Sequence, residues 1–221
     1  MTHALDYIRA HFREGPRSGI VHVGASSGQE VEDYKAAGTR PVVLIEPLPG
    51  PYAQLVETIA GEPGFYPLQA CCDAVGNRDV DFHVASNDGM SSSYLRPSGH
   101  LAAAASVTFD ETVRVTTTTL DALLADLRRQ HDLPAAFPDY LTLDTQGAEK
   151  EVLLGARETL RTVNYIWLEV SFGGLYEGDT GLYEMIDFLR GQGFDIYNLV
   201  MMRSWGDALF IRSGLFPPLG R

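Results

Sequence analysis

The segment IVHVGASSGQE, Ile20–Glu30, is the stretch of sequence that decides the fold. It begins with a continuous apolar run, Ile20–Val23, which is typical of a parallel strand covered on both faces. Glycine permits a sharp turn at Gly24, and at Gly28 it permits the close approach of a ligand or of the next helix. The polar residues that follow, with Ser27 and Glu30 at capping-box spacing, predict that a helix starts there.

An acidic residue, Glu46, lies 18 positions after Gly28 and directly follows a second apolar run. Such a residue can accept hydrogen bonds from two ribose hydroxyls. The dinucleotide fingerprint G-x-G-x-x-G has three glycines, whereas Gly24 and Gly28 give G-x-x-x-G. The spacing therefore favours a nucleoside ligand without phosphates, and the alternative is an ordinary turn with an exposed Glu46.

Apolar runs alternate with amphipathic segments along the rest of the chain. The predicted strands are Val42–Ile45, Tyr140–Leu143 and Tyr165–Val170. The predicted helices carry stripes at i, i+3, i+4 and i+7: Tyr52, Leu55, Val56, Ile59; Leu120, Leu123, Leu124, Leu127; and Leu182, Met185, Ile186, Leu189. This alternation predicts a doubly wound α/β sheet with helices on both faces.

Three regions depart from simple alternation within what we interpret as a single domain, 1–221. Residues 1–18 supply a leading helix with Leu5, Ile8 and Phe12 inward. Residues 76–118 hold an inserted β-pair, Asp79–Ser86 with Thr112–Thr118, which carries a long Ser/Gly/Ala-rich loop. Residues 194–212 form a terminal hairpin of Phe194–Leu199 and Ala208–Arg212, whose short connection requires antiparallel strands.

Composition restricts the partners and the compartment. Twenty-nine acidic and 17 basic side chains give a net charge of −12, which disfavours nucleic acid as the main partner. No apolar stretch is long enough for a membrane span, and Met1–Gly15 lacks the features of a signal peptide. The only cysteines, Cys71 and Cys72, are adjacent, which predicts a reduced thiol pair. We therefore expect a cytoplasmic protein.

These features resemble the FkbM family of S-adenosylmethionine-dependent methyltransferases, from about Ile20 to Phe216. The resemblance rests on Val21–Gly28 followed by Ile45-Glu46-Pro47, and most specifically on the ungapped block Leu141–Ala156, LTLDTQGAEKEVLLGA. Further matches are Ser91–Ser93, Thr119–Asp121, Trp167–Phe172 and Asp207–Arg212. The family usually has an acidic residue at the position of His22; His22 either replaces it as a neutral donor or is a satisfied strand histidine.

The resemblance implies a class I methyltransferase (Rossmann-like) fold with seven strands, the last of them antiparallel. It also implies S-adenosylmethionine as cofactor and a hydroxyl oxygen as acceptor, often on a sugar or a secondary metabolite. On this interpretation Gly24, Ala25 and Ser26 face the methionine portion, Glu46 holds the ribose and Pro47 packs beside the adenine. Asp73 and Ala74, after the third strand, are placed for the adenine amine, although Asp73 is also typical of a turn.

Two candidate catalytic groups follow the fourth and fifth strands of the parallel set, and a third, His100, lies in the predicted loop Asn87–His100. An alcohol has a very high pKa, so methylation of its oxygen needs a base. Asp144 is the first candidate, either as that base or as an anchor for the methionine amine. Glu169 is the second candidate and His100 the third. Gln146 offers an amide to the acceptor or the cofactor. The acceptor wall is predicted to contain Ser91, Ser92, Ser93, Tyr94 and Tyr176, with a soluble surface loop as the alternative for the first four.

Other functions stay open at the level of the sequence. A nicotinamide-dependent oxidoreductase would use the same strand–loop–helix unit, but the third glycine is missing. A binding module without turnover would keep the fold alone. No metal site is predicted, because His83, Asp81 and Asp88 lack ligand spacing. A homodimer is compatible with the sequence, which does not define the oligomeric state.

Overall fold

In the computed structural model, which describes residues 4–12 and 15–215, strands and helices alternate as the sequence predicts. The strands are β1 (Ile20–Val23), β2 (Val42–Ile45), β3 (Phe65–Leu68), β4 (Cys71–Cys72), β5 (Asp79–Val84), β6 (Glu111–Thr118), β7 (Tyr140–Leu143), β8 (Tyr165–Ser171), β9 (Phe194–Met202) and β10 (Trp205–Arg212). The helices are α1 (Ala4–His11), α2 (Val31–Ala37), α3 (Pro49–Thr58), α4 (His100–Ala103), α5 (Leu120–Gln130), α6 (Glu149–Leu154) and α7 (Leu182–Gly191), with a 3-10 turn at Thr159–Arg161.

The main sheet has seven strands in the order β3-β2-β1-β7-β8-β10-β9. All neighbouring pairs from β3 to β8 are parallel, and β10 runs antiparallel to both β8 and β9. The strand order reverses direction at β1, where the chain leaves for β2 on one side while β7 pairs on the other. A ligand crevice is expected outside the carboxyl ends of the strands at such a point.

The terminal hairpin is longer than the sequence predicted. We expected it to end at Leu199 and to resume at Ala208, but β9 continues to Met202 and β10 begins at Trp205. Arg203 in the turn has a φ of 66°, so the chain reverses within a tight turn instead of a loop. The segment left out of the predicted strands, 200–207, contains Arg203, Ser204, Gly206 and Asp207, which interrupt the apolar pattern. Consequently Asp207 lies inside β10.

Two apolar layers hold the sheet. Val21, Val43, Leu141 and their neighbours form one core with helices α5, α6 and α7. Alternate strand residues form the other core with α1, α2 and α3, including the predicted inward residues Leu5, Ile8 and Phe12. One residue of the predicted α3 stripe is misplaced, because Val56 is 39% exposed.

The inserted region forms a second sheet, β4-β6-β5, instead of a simple pair. β5 and β6 are antiparallel as predicted, and β6 is parallel to β4. The prediction that Asp73 and Ala74 directly follow the third strand of the main sheet is therefore wrong, since that strand ends at Leu68 and Cys71–Cys72 belong to β4 of the second sheet. Both cysteines are buried and carry free thiols.

The helix after the glycine loop begins later than the capping-box spacing predicted. α2 starts at Val31, Glu30 occupies the N-cap position, and no side chain caps the helix. Ser26 and Gly28 both have positive φ values, 45° and 88°, so the backbone turns twice before it becomes helical. This longer loop leaves Gln29 and Glu30 facing the crevice.

Candidate cofactor and active site

Strand register places four carboxylates in one row across the carboxyl edge of the main sheet. Val23 pairs with Ile45 and Leu143, and Leu143 pairs with Leu168. The next residues along these strands are Glu46, Gly24, Asp144 and Glu169, and Asp207 of the antiparallel β10 pairs directly with Glu169. Because side chains alternate between faces along a strand, residues of one row share a face. The row is therefore Glu46, Gly24, Asp144, Glu169 and Asp207.

Gly24 brings the first loop against the end of β7. A Cβ atom at Gly24 would lie 1.8 Å from the carbonyl oxygen of Asp144, and its φ is +86°. The amides of Gly24 and Ala25 both donate to the carbonyl of Ile45, at 2.9 and 3.0 Å. Only glycine meets both demands, so the loop is fixed between Glu46 on one side and Asp144 on the other.

Glu46 is held by backbone amides on both carboxylate oxygens. Ser26 N donates to Oε2 at 3.0 Å and Leu48 N donates to Oε1 at 2.8 Å. The side chain is only 6% exposed, and burial raises its pKa to about 7. Each oxygen keeps acceptor capacity beyond one backbone hydrogen bond, so Glu46 can still accept hydrogen bonds from a ligand in the crevice.

A cavity of about 290 Å³ lies in front of Gly24 and Glu46. This volume is at the lower end of the range for small-molecule sites, roughly 300–1,000 Å³. Its lining includes eight of the predicted site residues: Gly24, Ser26, Glu46, Pro47, Ser92, Tyr94, Asp144 and Gln146. Sequence reasoning missed the rest of the wall, in which the insertion and the longer loop take part: Val23, Gln29, Glu30, Ala70, Cys71, Cys72, Phe82, Gly89, Met90, Thr145 and Ala148.

Gln146 connects the two predicted catalytic carboxylates. Its Nε2 donates to Asp144 Oδ1 at 2.7 Å and to Glu169 Oε2 at 2.8 Å. Its Oε1 accepts from the Tyr176 hydroxyl at 3.0 Å. The backbone of Gln146 has a φ of 54°, an unusual conformation that turns the amide back over the strand ends. Both hydrogens of the amide are thus committed to carboxylates.

The carboxylates of this group are kept less acidic than usual. Asp144 opens on the cavity, but the protein around it removes water and raises its pKa, while Gln146 and His22 act in the opposite direction. Burial, followed by the charge of Asp144, holds the pKa of Glu169 well above its usual range. The same two causes raise the pKa of Asp207 to about 6. The Asp207–Arg212 match contained this residue, but no pattern in the sequence pointed to a chemical role for it.

Several predicted cofactor-binding residues lie outside the cavity lining. His22 is buried in β1 with Nδ1 3.0 Å from the Tyr34 hydroxyl, as a strand histidine. A Cβ at Gly28 would meet Leu55 at 2.9 Å, so this glycine serves helix packing more directly than ligand approach. Ala25 is buried behind the loop.

Asp73 is engaged within the protein instead of facing a ligand. Its carboxylate accepts from Arg78 Nε at 3.1 Å and from the Tyr94 hydroxyl at 3.1 Å, and the side chain is buried. Asp73 follows β4 and not the third strand of the main sheet, and neither it nor Ala74 lines the cavity. The structure therefore does not bring the predicted adenine contact to the site; Asp73 anchors Tyr94 instead.

The remaining predicted residues, the three serines and Tyr176, form or support the wall of the cavity. Ser92 Oγ accepts from Ala85 N at 2.9 Å, and Ser93 Oγ accepts from Leu95 N at 3.1 Å. The hydroxyl oxygen of Tyr176 lies 2.8 Å from the carbonyl oxygen of Ser91, and this contact connects the loop to Gln146. Of the three serines, only Ser92 lines the cavity.

His100 does not face the cavity. Its ring packs against Phe109 and Tyr176, each at 5.5 Å between ring centroids, and burial lowers its pKa. Its buried Nδ1 has no hydrogen-bond partner within residues 4–12 and 15–215. His100 thus supports the Tyr176 side of the wall.

The sheet order, the single antiparallel strand beside the edge and the glycine loop opposite an acidic residue define a class I methyltransferase fold. Residues 22–196 match the family model described as the methyltransferase FkbM domain. The chain belongs to this family, which confirms the resemblance found in the sequence and favours a methyltransferase over a nicotinamide-dependent oxidoreductase.

Individual relatives extend this similarity. Over 119 residues the chain is 34% identical to the 2-O-methyltransferase NoeI of Sinorhizobium fredii, a match that covers 51% of this chain and 46% of the relative. The chain thus matches about half the length of that relative. Among solved structures, a TehB-like S-adenosylmethionine-dependent methyltransferase from Corynebacterium glutamicum is 11% identical, with a TM-score of 0.47 over 90% of this chain and 82% of that chain. A second such methyltransferase, from Aquifex aeolicus, has the same identity and TM-score over 88% and 82%.

Proposed function

We propose that this protein is an S-adenosylmethionine-dependent O-methyltransferase that acts on a hydroxyl group of a carbohydrate or secondary metabolite. The observation that carries the proposal is the row in which Glu46 and Asp144 lie on either side of Gly24. One carboxylate would bind the ribose and the other would face the reaction centre, with a close-packed loop between them. Family membership supports the same conclusion.

The cavity suits S-adenosylmethionine in its distribution of polar and apolar groups. Glu46 would accept hydrogen bonds from the ribose hydroxyls, and Pro47, Phe82 and Met90 would provide apolar surface for the adenine. Gly24 and Ser26 would face the methionine portion. Glu30 and Asp144 place negative charge on the wall of the same cavity, which favours a cationic sulfur over a pyrophosphate.

When bound, S-adenosylmethionine supplies a methyl group on a positively charged sulfur and needs no metal to activate it. The protein has to hold the acceptor oxygen in line with that methyl group and remove its proton. Asp144 opens on the cavity and is our candidate for the base, because its raised pKa brings it closer to the working pH than an ordinary aspartate. Gln146 and Glu169 fix its orientation.

The inserted region would form the acceptor side of the site. Ser92 and Tyr94 line the cavity from the inserted region, and the Tyr176 hydroxyl joins this region to Gln146. Hydroxyl-bearing side chains suit a polyol. The relative NoeI is named as a 2-O-methyltransferase, which supports a hydroxyl acceptor for this chain as well. The two free, buried thiols support a reducing compartment such as the cytoplasm.

The cofactor assignment is tested by calorimetric titration with S-adenosylmethionine, S-adenosylhomocysteine and NAD. We expect binding of the first two and no binding of NAD. Glu46→Gln should weaken S-adenosylhomocysteine binding by about 1–3 kcal/mol, because one backbone amide then faces an NH₂ group and a ribose acceptor is lost. Glu57→Gln, at an exposed position of α3, is the matched control and should bind normally. Binding of NAD alone would favour the oxidoreductase.

The activity is tested by incubation with methyl-labelled cofactor and a panel of glycans and alcohols. We expect label in an O-methyl group, and Asp144→Asn should lower turnover by at least about 100-fold, the usual scale of general-base catalysis. A fully active Asn variant would remove Asp144 as the base. Cofactor binding without transfer to any member of a broad panel would favour a non-catalytic binding module.

A further inference from the structure

We propose that Asp144, Glu169 and Asp207 act as one proton-holding unit, which releases a proton when charged S-adenosylmethionine binds and recovers it from the acceptor hydroxyl during methyl transfer. This inference rests on the proposed function and extends it. It assigns a role to Asp207, a residue of the terminal hairpin, as a positioning residue that acts through Glu169.

The fold brings Asp207 to the site through β10, which runs antiparallel to its neighbours in the main sheet. β10 begins at the carboxyl edge of the sheet, whereas the parallel strands end there. Asp207 pairs with Glu169 in register, and its other neighbour, on β9, is the uncharged Val200. Like charges directly opposite each other on neighbouring strands repel, so full ionisation of Glu169 and Asp207 together is unfavourable.

The side-chain amide of Gln146 binds the other two members of the unit, Asp144 and Glu169. Gln146 Nε2 lies 2.7 Å from Asp144 Oδ1 and 2.8 Å from Glu169 Oε2, so one amide nitrogen holds the two carboxyl groups next to each other. Two carboxylates held this close repel each other when both are ionised, so the pair is favoured when one of the two carries a proton. Glu169, between Asp144 and Asp207, is the member whose ionisation both neighbours oppose.

The surroundings supply little positive charge to offset the repulsion among these three carboxylates. No salt bridge among the described residues includes Asp144, Glu169 or Asp207. The groups that act on the unit from other elements are mostly acidic or phenolic: Glu30 of the first loop, Glu149 of α6, Tyr140 of β7, Tyr176, and, with the opposite sign, His22 of β1. In the described part of the chain no group of three or more His, Cys, Asp or Glu residues could hold a metal ion. A proton is therefore the available counter-charge.

The charge balance of the reaction matches this arrangement. Binding of a sulfonium places a positive charge beside Asp144, lowers the pKa of the nearby carboxyl groups and displaces the proton. In methyl transfer the oxygen–carbon bond forms, the sulfur–carbon bond breaks with its electron pair going to sulfur, and the hydroxyl proton passes to Asp144. The product is a neutral thioether, and the unit again holds its proton. The net charge of the cleft is then the same before and after the chemical step.

The test measures proton release instead of activity. Calorimetric titrations of the protein with S-adenosylmethionine and with S-adenosylhomocysteine, in buffers of different ionisation enthalpy, give the number of protons released by each ligand. We expect roughly one proton for S-adenosylmethionine near pH 7 and roughly none for the homocysteine product, because only the former carries the charge. Protonation changes at Glu46 accompany both ligands, so they cancel in the comparison.

Asp207→Asn should reduce the difference in proton release between the two ligands to less than half of the wild-type value. The pH at which this difference is largest should fall by roughly one unit, because Glu169 no longer faces a second carboxylate. Asp195→Asn is the matched control. Asp195 lies in the same hairpin but at the opposite edge of the sheet, where it pairs with Ile211 and binds Ser213, and it should leave proton release unchanged. If Asp207→Asn folds poorly, Glu169→Gln takes its place in the test. We expect Glu169→Gln to abolish the difference in proton release between the two ligands.

The outcomes separate this inference from the proposed function. Equal proton release by both ligands, or a normal difference in Asp207→Asn, would overturn the inference while leaving the methyltransferase assignment intact. Failure of both ligands to bind would overturn both. The infrared band of a protonated carboxyl group, present before and lost after addition of S-adenosylmethionine and absent in Glu169→Gln, would support the inference independently.

Discussion

At the scale of single residues, Gly24 is the most constrained position of the site. Its φ of +86° and the 1.8 Å between a built Cβ and the Asp144 carbonyl mean that any side chain must displace β7 or the loop. We expect Gly24→Ala to destabilise the protein by about 3 kcal/mol or more and to abolish binding of S-adenosylhomocysteine. Urea unfolding and calorimetry measure the two effects.

Gly38→Ala is the control that has the backbone strain of Gly24→Ala without its steric clash. Gly38 ends α2 with a φ of +69°, but a Cβ there would meet nothing within 4 Å. This control should cost about 1–2 kcal/mol, the usual penalty for a left-handed residue, and should leave ligand binding unchanged. Equal effects of the two substitutions would show that the contact between the loop and β7 is not what fixes the site.

The sequence predicted some residues of the site and missed others for a physical reason. Glu46 and Asp144 follow apolar runs that end at the same edge of a parallel sheet, so their proximity could be inferred without coordinates. Asp207 comes at the start of a strand, and it reaches that edge only because β10 is antiparallel and lies next to β8. Strand order is a property of long-range pairing, and one sequence does not encode it locally.

At the scale of elements, strand and helix cores were predicted well and their ends less well. Ile20–Val23, Val42–Ile45 and Tyr140–Leu143 have the predicted bounds, because each is a continuous buried run. The predicted start of α2 was wrong, because Ser26 and Gly28 have positive φ values and the helix therefore begins later than the capping-box spacing indicates. The second sheet was missed because its short member β4 pairs with β6, 46 residues later at Cys71 and Thr117.

The second sheet depends on Asp73, which joins β4 to the wall of the cavity. Asp73 is buried and binds both Arg78 and the Tyr94 hydroxyl. Asp73→Asn should destabilise the protein by about 1–3 kcal/mol, because a charged partner is lost at a buried site. Hydrogen exchange should accelerate in Asp79–Val84 and Glu111–Thr118, and S-adenosylhomocysteine should bind more weakly because Tyr94 loses its anchor.

Asp81→Asn is the control for that prediction. Asp81 belongs to the same sheet and pairs with Arg114, but both side chains are more than half exposed, at 58% and 65%. Exposed pairs of this kind contribute about 0–1 kcal/mol, so exchange and binding should be nearly unchanged. Equal acceleration in the two variants would show that the sheet does not depend on Asp73.

At the scale of the whole molecule, the same sheet that builds the site concentrates negative charge. The chain carries a net charge of −12, and its parallel strands deliver Glu46, Asp144 and Glu169 to one edge, where β10 adds Asp207. Such a site selects a cationic ligand but opposes ionisation of its own carboxyl groups. The pH dependence of folding should therefore carry the signature of carboxyl groups that are protonated more readily in the native state than in the unfolded chain.

Glu149 offers the clearest test of that signature, because it is buried and distinct from the proposed base. Burial raises its pKa from 4.5 to about 7, while Thr145 N and Gly147 N donate to its Oε1 at 2.9 and 3.2 Å. Between these two pKa values the native state holds a proton that the unfolded state has lost. The free energy of unfolding should therefore fall as the pH rises from about 4.5 to 7, by up to roughly 3 kcal/mol for this one group, and stay low above that.

Glu149→Gln keeps the Oε1 acceptor and cannot ionise, so its unfolding free energy, measured in urea at several pH values, should fall less steeply than that of the wild type. The exposed Glu57→Gln should retain the wild-type slope, and a Glu149→Gln slope equal to it would show that this carboxyl group is ionised in the folded protein at pH 5–6.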